Sequence, residues 1–385
     1  MGKLLFIGKD KMKLRFNYLL ILLLIISVLS GSGCYYSPSF QHPAPGRPML
    51  SSRSIIRVNV TSQGYHFHQP WQKRQPSNRT AIGIIAPGSR VLVTSQLIAN
   101  HRYIELERLD NEKKTRAQVE VVDYEANLAL LYPIEKNFLS DMQPLELDAI
   151  AREGDLLSVW QVKPNGNIIP GEGPITAIER IPYLFGNSFI AYRLNSSLQY
   201  RGSNITLPVM KDGKLAGLLM HYDAKVQTID VIPAPVILHF LKDAANGKYD
   251  GFPLLGLSVS STEDPVLREY LGLSDMEGGI IIDKIYKGGA AEKAGLKPGD
   301  IILEIEGHPI SNHSTYEHPI YGKISASHLI RCEHFVGDKI KLKIFRNKKF
   351  QTVELILEHR QANEYLVPPY ILESNFTNSL CRSTM

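Results

Sequence analysis

The chain has 385 residues, 44% of them hydrophobic and 21% charged. That length exceeds one ordinary core and points to two domains with appendages, and the composition excludes a largely disordered chain. The formal charge of +5 is concentrated at the front, where Lys3, Lys9, Lys11, Lys13 and Arg15 face only Asp10. The remainder is close to neutral, which gives no electrostatic footprint for nucleic acid. Three widely spaced cysteines, Cys34, Cys332 and Cys381, exclude a disulfide-rich scaffold and a four-cysteine zinc site.

After the basic stretch comes an uncharged apolar run from Leu19 to Leu29, then Ser-Gly-Ser-Gly and Cys34. As a helix this run spans ~16 Å, about half of a bilayer core, too short for a permanent anchor. A basic region, a short apolar region and small residues together describe an export signal. The segment resembles the lipobox of bacterial lipoproteins, although Gly31 stands where that family usually has Leu. The resemblance implies cleavage before Cys34 and a lipid on Cys34; the alternative is ordinary cleavage nearby with Cys34 a free thiol. Residues 1–33 are thus expected to be a lipoprotein signal peptide and 34–52, rich in Pro, Ser and Gly, a flexible tether. Tyr35 after the cysteine, rather than Asp, resembles Gram-negative sorting to the outer membrane. The implied location is the bacterial cell envelope, lipid-anchored, on the periplasmic or surface side.

From Ser54 short β-rich runs alternate with turn signals such as Pro87-Gly88, Gly171-Glu172-Gly173 and Asp212-Gly213. Many short strands with almost no long helical period predict a sandwich or barrel. Pro235 suits the first turn of a helix that closes this region. His66 and His68 could share a strand face as a metal pair, but no third ligand accompanies them, so no metal site is expected. Tyr183, Phe185, Phe189, Tyr192 and Tyr200 read as an ordinary barrel loop rather than a binding face.

The order of the strings AIGIIAPGSRVLVTSQLIAN, VEVVDYEANLALL, GPITAIERIPY and LPVMKDGKLAGLL resembles the HtrA/Deg trypsin-like serine proteases, implying a double β-barrel over 53–245. That family's chemistry needs a serine nucleophile, a histidine base and an orienting carboxylate. Its histidine motif falls on Thr94 to Ala99 and places Leu97 at the base. Its aspartate motif falls on Asn127 to Leu131 and places Asn127 at the carboxylate. Its serine motif, anchored on Pro208, places Ile205 at the nucleophile; anchored on Gly202 it places Asn204 there. The expectation is therefore a catalytically degenerate protease fold that is no enzyme. The alternative is an active HtrA-like serine endopeptidase with a rearranged site. No cofactor is implied.

Residues 246–360 read as strand, helix, strand, strand, helix, strand, and AAEKAGLKPGDIILEIEG resembles the core signature of PDZ domains. PDZ domains add an extended peptide to an open sheet edge, with its terminal carboxylate on backbone N–H groups. The resemblance implies a loop at Leu254, Leu255, Gly256 and Leu257, an edge from Ser258 through Val259 to Ser260, and a far wall near residues 327–334. There Leu329 and Ile330 shape the pocket and His328 touches a hydroxyl at the ligand's third-last position. Ser311 to Lys323 reads as a long linker, similar to an insertion in plant-type Deg proteins. Residues 361–385 are a polar tail, and Cys332 either pairs with Cys381 or stays buried alone. The function implied is a membrane-tethered protein that binds peptides or partner C-termini, as adaptor or chaperone-like quality-control factor.

Overall fold

The computed structural model describes residues 51–66, 68–148, 151–163, 167–183, 187–196, 198, 206–273 and 278–359. Cys34, Ile205 and Cys381, with the signal, tether and tail expectations, lie outside the described residues.

The first barrel comprises β1 (Ile55–Ser62), β4 (Ser77–Ala86), β5 (Arg90–Val93), β6 (His101–Glu107), β7 (Lys114–Asp123) and β8 (Leu128–Pro133), with a small hairpin of β2 (Tyr65–His66) and β3 (Gln69–Lys73) inserted after β1. It closes in the order β1-β4-β5-β8-β7-β6. β1 shows why these residues are strand: Ile56, Val58 and Val60 point into the barrel while Arg57, Asn59 and Thr61 alternate outward. Gly83 is required by close approach, because a Cβ there would meet Val91 Cγ1 at 2.4 Å and Val58 Cγ2 at 2.8 Å.

The second barrel comprises β9 (Leu156–Val162), β10 (Ile168–Pro182), β11 (Ser188–Asn195), β12 (Pro208–Lys211), β13 (Lys214–Asp223) and β14 (Thr228–Pro233), closed in the order β10-β11-β14-β13-β12-β9. A helix, Ala234–Asp243, follows with Pro235 in its first turn. There the missing N–H costs nothing, since the first helical donors have no intrahelical acceptor. This is the trypsin-like double barrel that the sequence predicts.

A PDZ domain follows. Its sheet runs β15 (Leu257–Ser260), β16 (Ile280–Ile285), β17 (Ile301–Ile305), β21 (Lys339–Arg346) and β22 (Lys349–Ile356), with β18 (His308–Pro309) paired to β17. β15 forms one edge. The expected linker is ordered as a hairpin of β19 (Thr315–His318) and β20 (Gly322–Ser325), because Tyr316 and Ile324 point the same way into the core. The groove helix, Ser327–Glu333, comes next.

Candidate functional site: the barrel junction and the PDZ groove

The two barrels are joined by hydroxyls. Thr94 Oγ1 lies 2.6 Å from Thr206 Oγ1, and the Thr94 N–H donates to the same Thr206 oxygen at 3.2 Å, all buried. Beside this bolt stand two of the three positions assigned to a triad. Leu97 is fully buried and belongs to the hydrophobic core of the first barrel. Asn127 is also buried and has φ +55°, a left-handed conformation that Asn tolerates better than most residues. Its Oδ1 accepts from the Gln96 N–H at 3.0 Å and from Ser95 Oγ at 3.1 Å, while its Nδ2 has no acceptor among the described residues. With hydrocarbon at position 97, a carboxylate at 127 would be a buried charge with no cation beside it, and a neutral amide avoids that cost.

Gln96, not Leu97, reaches across the junction, donating through Nε2 to the Met220 carbonyl at 3.3 Å. It lines a cavity of about 390 Å³ together with Met220, His221, Tyr183, Arg193 and Asp230. Arg193 is held there by Asp230 at 3.0 Å.

The PDZ domain holds a second concavity of about 360 Å³. Leu254, Leu255, Leu257, Ser258 and Val259 line one side, Ile280, Ile302 and Ile305 the floor, and Ser327, Ile330 and Arg331 the helix side. Its end is shaped by backbone. Ala291 N–H donates to the Leu255 carbonyl and Tyr286 N–H to the Gly256 carbonyl, both at 2.9 Å. The peptide groups are trans, so with both carbonyls turned inward the N–H groups of Gly256 and Leu257 point outward, along the open side of β15. Gly256 itself has φ +73°, and a Cβ would lie 3.1 Å from both Ala290 N and Gly289 Cα, which leaves glycine as the fitting residue.

His328 and Leu329 are not among the residues that line this concavity; Ser327 and Ile330 are. Helix side chains step by about 100° per residue, so a one-residue error in register carries a side chain from the groove to the back of the helix. His328 is buried behind it, edge-on to His318 at 5.5 Å and to Tyr321 at 5.9 Å. Burial first, and His318 second, push its imidazole down to about 3.

His318, His328 and Glu333 form the one group among the described residues with metal-ligand spacing. The protons argue for a different role. His318 Nδ1 accepts the N–H groups of Ile320 at 3.1 Å and Tyr321 at 3.2 Å. The neutral ring therefore carries its proton on Nε2, which faces Glu333 Oε1 at 3.5 Å as a donor rather than as a free lone pair. Tyr316 Oη donates to the same oxygen at 2.9 Å. Glu333 thus gathers donors that fasten the β19–β20 hairpin to the groove helix.

The groove helix also docks on the barrels. Arg331 Nη2 donates to Glu125 Oε2 at 2.6 Å, both residues buried, and the guanidinium lies 4.0 Å from the centre of the Phe189 ring. Nearby, His239 stacks between Phe252 and Phe335, with ring centres 4.5 and 4.3 Å away, and its Nε2 donates to the His334 carbonyl at 2.8 Å. Arg180, Asn187 and Ser188 of the second barrel complete the groove wall. A sequence reading confined to the PDZ segment has no signal for these three, which arrive from far along the chain.

The PDZ domain family matches residues 253–357. Among curated proteins the chain is 29% identical over 285 residues to "Putative protease Do-like 3, mitochondrial" of Arabidopsis thaliana, covering 73% of this chain and 50% of that one. It is 27% identical over 347 residues to "Putative protease Do-like 13" of the same plant, covering 88% and 70%. The chain therefore spans 50% to 70% of the length of these two relatives. Its fold is similar to the solved "HtrA-type protease AlgW with decapeptide", with a TM-score of 0.59, 20% identity, and coverage of 81% of this chain and 97% of that one. The same protease with a tripeptide gives a TM-score of 0.60 at 18% identity.

These findings correct one expectation. That the chain is no enzyme is overturned by relatives that are named as proteases, which point to the serine-protease class. The physical reason the sequence misled is that motif matching reports the side chain at each inherited position and carries no signal for groups that tertiary packing brings to the cleft from elsewhere.

Proposed function

We propose that the chain captures the free C-terminal segments of proteins in its PDZ groove, as an adaptor or chaperone-like quality-control factor held to the membrane of the bacterial envelope by a lipid on Cys34. The observation that carries the reading is the pair of outward N–H groups at Gly256 and Leu257, set over an apolar floor. Two converging amides suit a carboxylate, and the open edge of β15 suits a peptide added as a further strand. Ile280, Ile302, Ile305 and Ile330 favour an aliphatic last side chain. The test is fluorescence anisotropy of the full chain with labelled peptides that end in a free carboxylate or an amide. Binding restricted to free carboxylates is expected, and equal binding of the amides sinks the proposal. The tether rests on the sequence around Cys34. Radiolabelled fatty acid should enter the wild-type chain and not Cys34→Ser.

A second reading is peptide-bond hydrolysis, the activity in the relatives' names. Leu97 has no lone pair, so the base must be another group. Among the described residues the imidazole lining the junction cavity is His221. A fluorophosphonate probe and a labelled peptide substrate test this: turnover abolished by His221→Ala is expected, and turnover that survives the substitution removes His221 from the reaction.

A further inference from the structure

We infer that the groove selects ligands that carry an acidic side chain upstream of their C-terminus, and that Arg180 of the second barrel reads it. The inference rests on the peptide-binding reading above. Among the described residues the walls of the groove hold two arginines, Arg180 and Arg331, and no carboxylate. Arg331 is already engaged: Glu125 pairs with it, Phe189 lies under it, and the Ser188 carbonyl accepts from it at 3.3 Å.

Arg180 is different. It is exposed on β10 and has no ion pair among the described residues. Glu179, the carboxylate next to it in sequence, points to the opposite face of the strand, where Arg193 pairs with it. Arg180 is therefore a cation left open at the groove. It also stands on the barrel wall rather than on the loop with the outward amides, so it addresses a second anionic group and not the terminal carboxylate. An Asp or Glu a few residues before the end of a bound strand supplies that group. An arginine at such a rim acts through charge and hydrogen bonding together, and its effect falls as salt rises.

The experiment uses the full chain and short labelled peptides that share one aliphatic C-terminal residue and a free carboxylate. Glu, Gln or Lys is placed in turn at each upstream position. At one position Glu should bind about threefold to fivefold tighter than Gln, and Lys weaker by a similar factor, at low ionic strength, the range of an exposed ion pair. The contrast should shrink in high salt. Arg180→Gln should abolish it and Arg180→Glu should invert it, with the urea midpoint unchanged. Equal binding of Glu and Lys peptides at every position overturns the inference and leaves the groove reading standing, as does a Glu preference that survives Arg180→Glu. Failure of every peptide to bind takes down both.

Discussion

Arg331 of the groove helix and Glu125 of the first barrel meet at 2.6 Å, both out of water, so the PDZ domain is attached to the barrels by a buried ion pair. Removing one partner leaves the other charged and unsolvated. Glu125→Ala or Arg331→Ala should cost about 3–5 kcal/mol. Replacing both together, as Glu125→Leu with Arg331→Met, should recover most of that loss. Urea unfolding of the three variants checks the order; a double variant no better than the singles refutes the account.

Gly256→Ala should cripple the groove without unfolding the barrels. The new Cβ presses on Ala290 N and Gly289 Cα, and the φ of +73° disfavours any side chain. The left-handed cost alone is about 1–2 kcal/mol. A shift of the loop also re-aims the N–H groups of Gly256 and Leu257. Peptide anisotropy should show a loss of affinity of about tenfold or more, at this level of destabilisation. Unchanged affinity would mean that these amides do not hold the ligand.

His328 should make the fold acid-sensitive. Its imidazole is pushed down to about 3 by burial, then by His318. An unfolded histidine takes up its proton near 6.5. The unfolded chain therefore binds the extra proton first, and stability falls as pH drops through that value toward about 3. Above the unfolded value the contribution is fully present. His328→Phe should flatten this part of the curve of urea midpoint against pH. An unaltered slope would place the acid sensitivity elsewhere.

Thr206→Val should loosen the two barrels from each other. The substitution keeps the shape but removes one partner of Thr94 Oγ1 and the hydroxyl that accepts from the Thr94 N–H. A buried donor left without an acceptor costs about 1–3 kcal/mol. The measurement is the denaturation midpoint, together with hydrogen exchange at the Thr94 amide. Persistent protection of that amide in the variant would show that Thr206 is not its acceptor.

Much of the fold was legible because it is written locally. The alternation of Ile56, Val58 and Val60 with polar neighbours declares a half-buried strand, and the PDZ signature supplies its own turns. The groove loop was legible for the same reason, since Gly256 and its neighbours adjoin in sequence. The helix register was not. Nothing in Ser327-His328-Leu329 says which residue starts the helix, and one step separates a groove residue from a buried one. Arg180 and Glu125 were invisible because only tertiary packing brings them to the groove helix. At the barrel junction the motif order placed Leu97 and Asn127 at inherited triad positions, but side chains that tertiary packing brings there, such as His221, carry no signal in those motifs.

The wall that Arg180, Asn187 and Ser188 raise beside the groove helix narrows the groove. Here the barrel crowds the approach, and only a chain thin enough to thread between two folded bodies can lie down. On the proposed reading such a slot would sort by fraying: compact neighbours with their ends tucked in would pass by, and those whose ends have come loose would be retained.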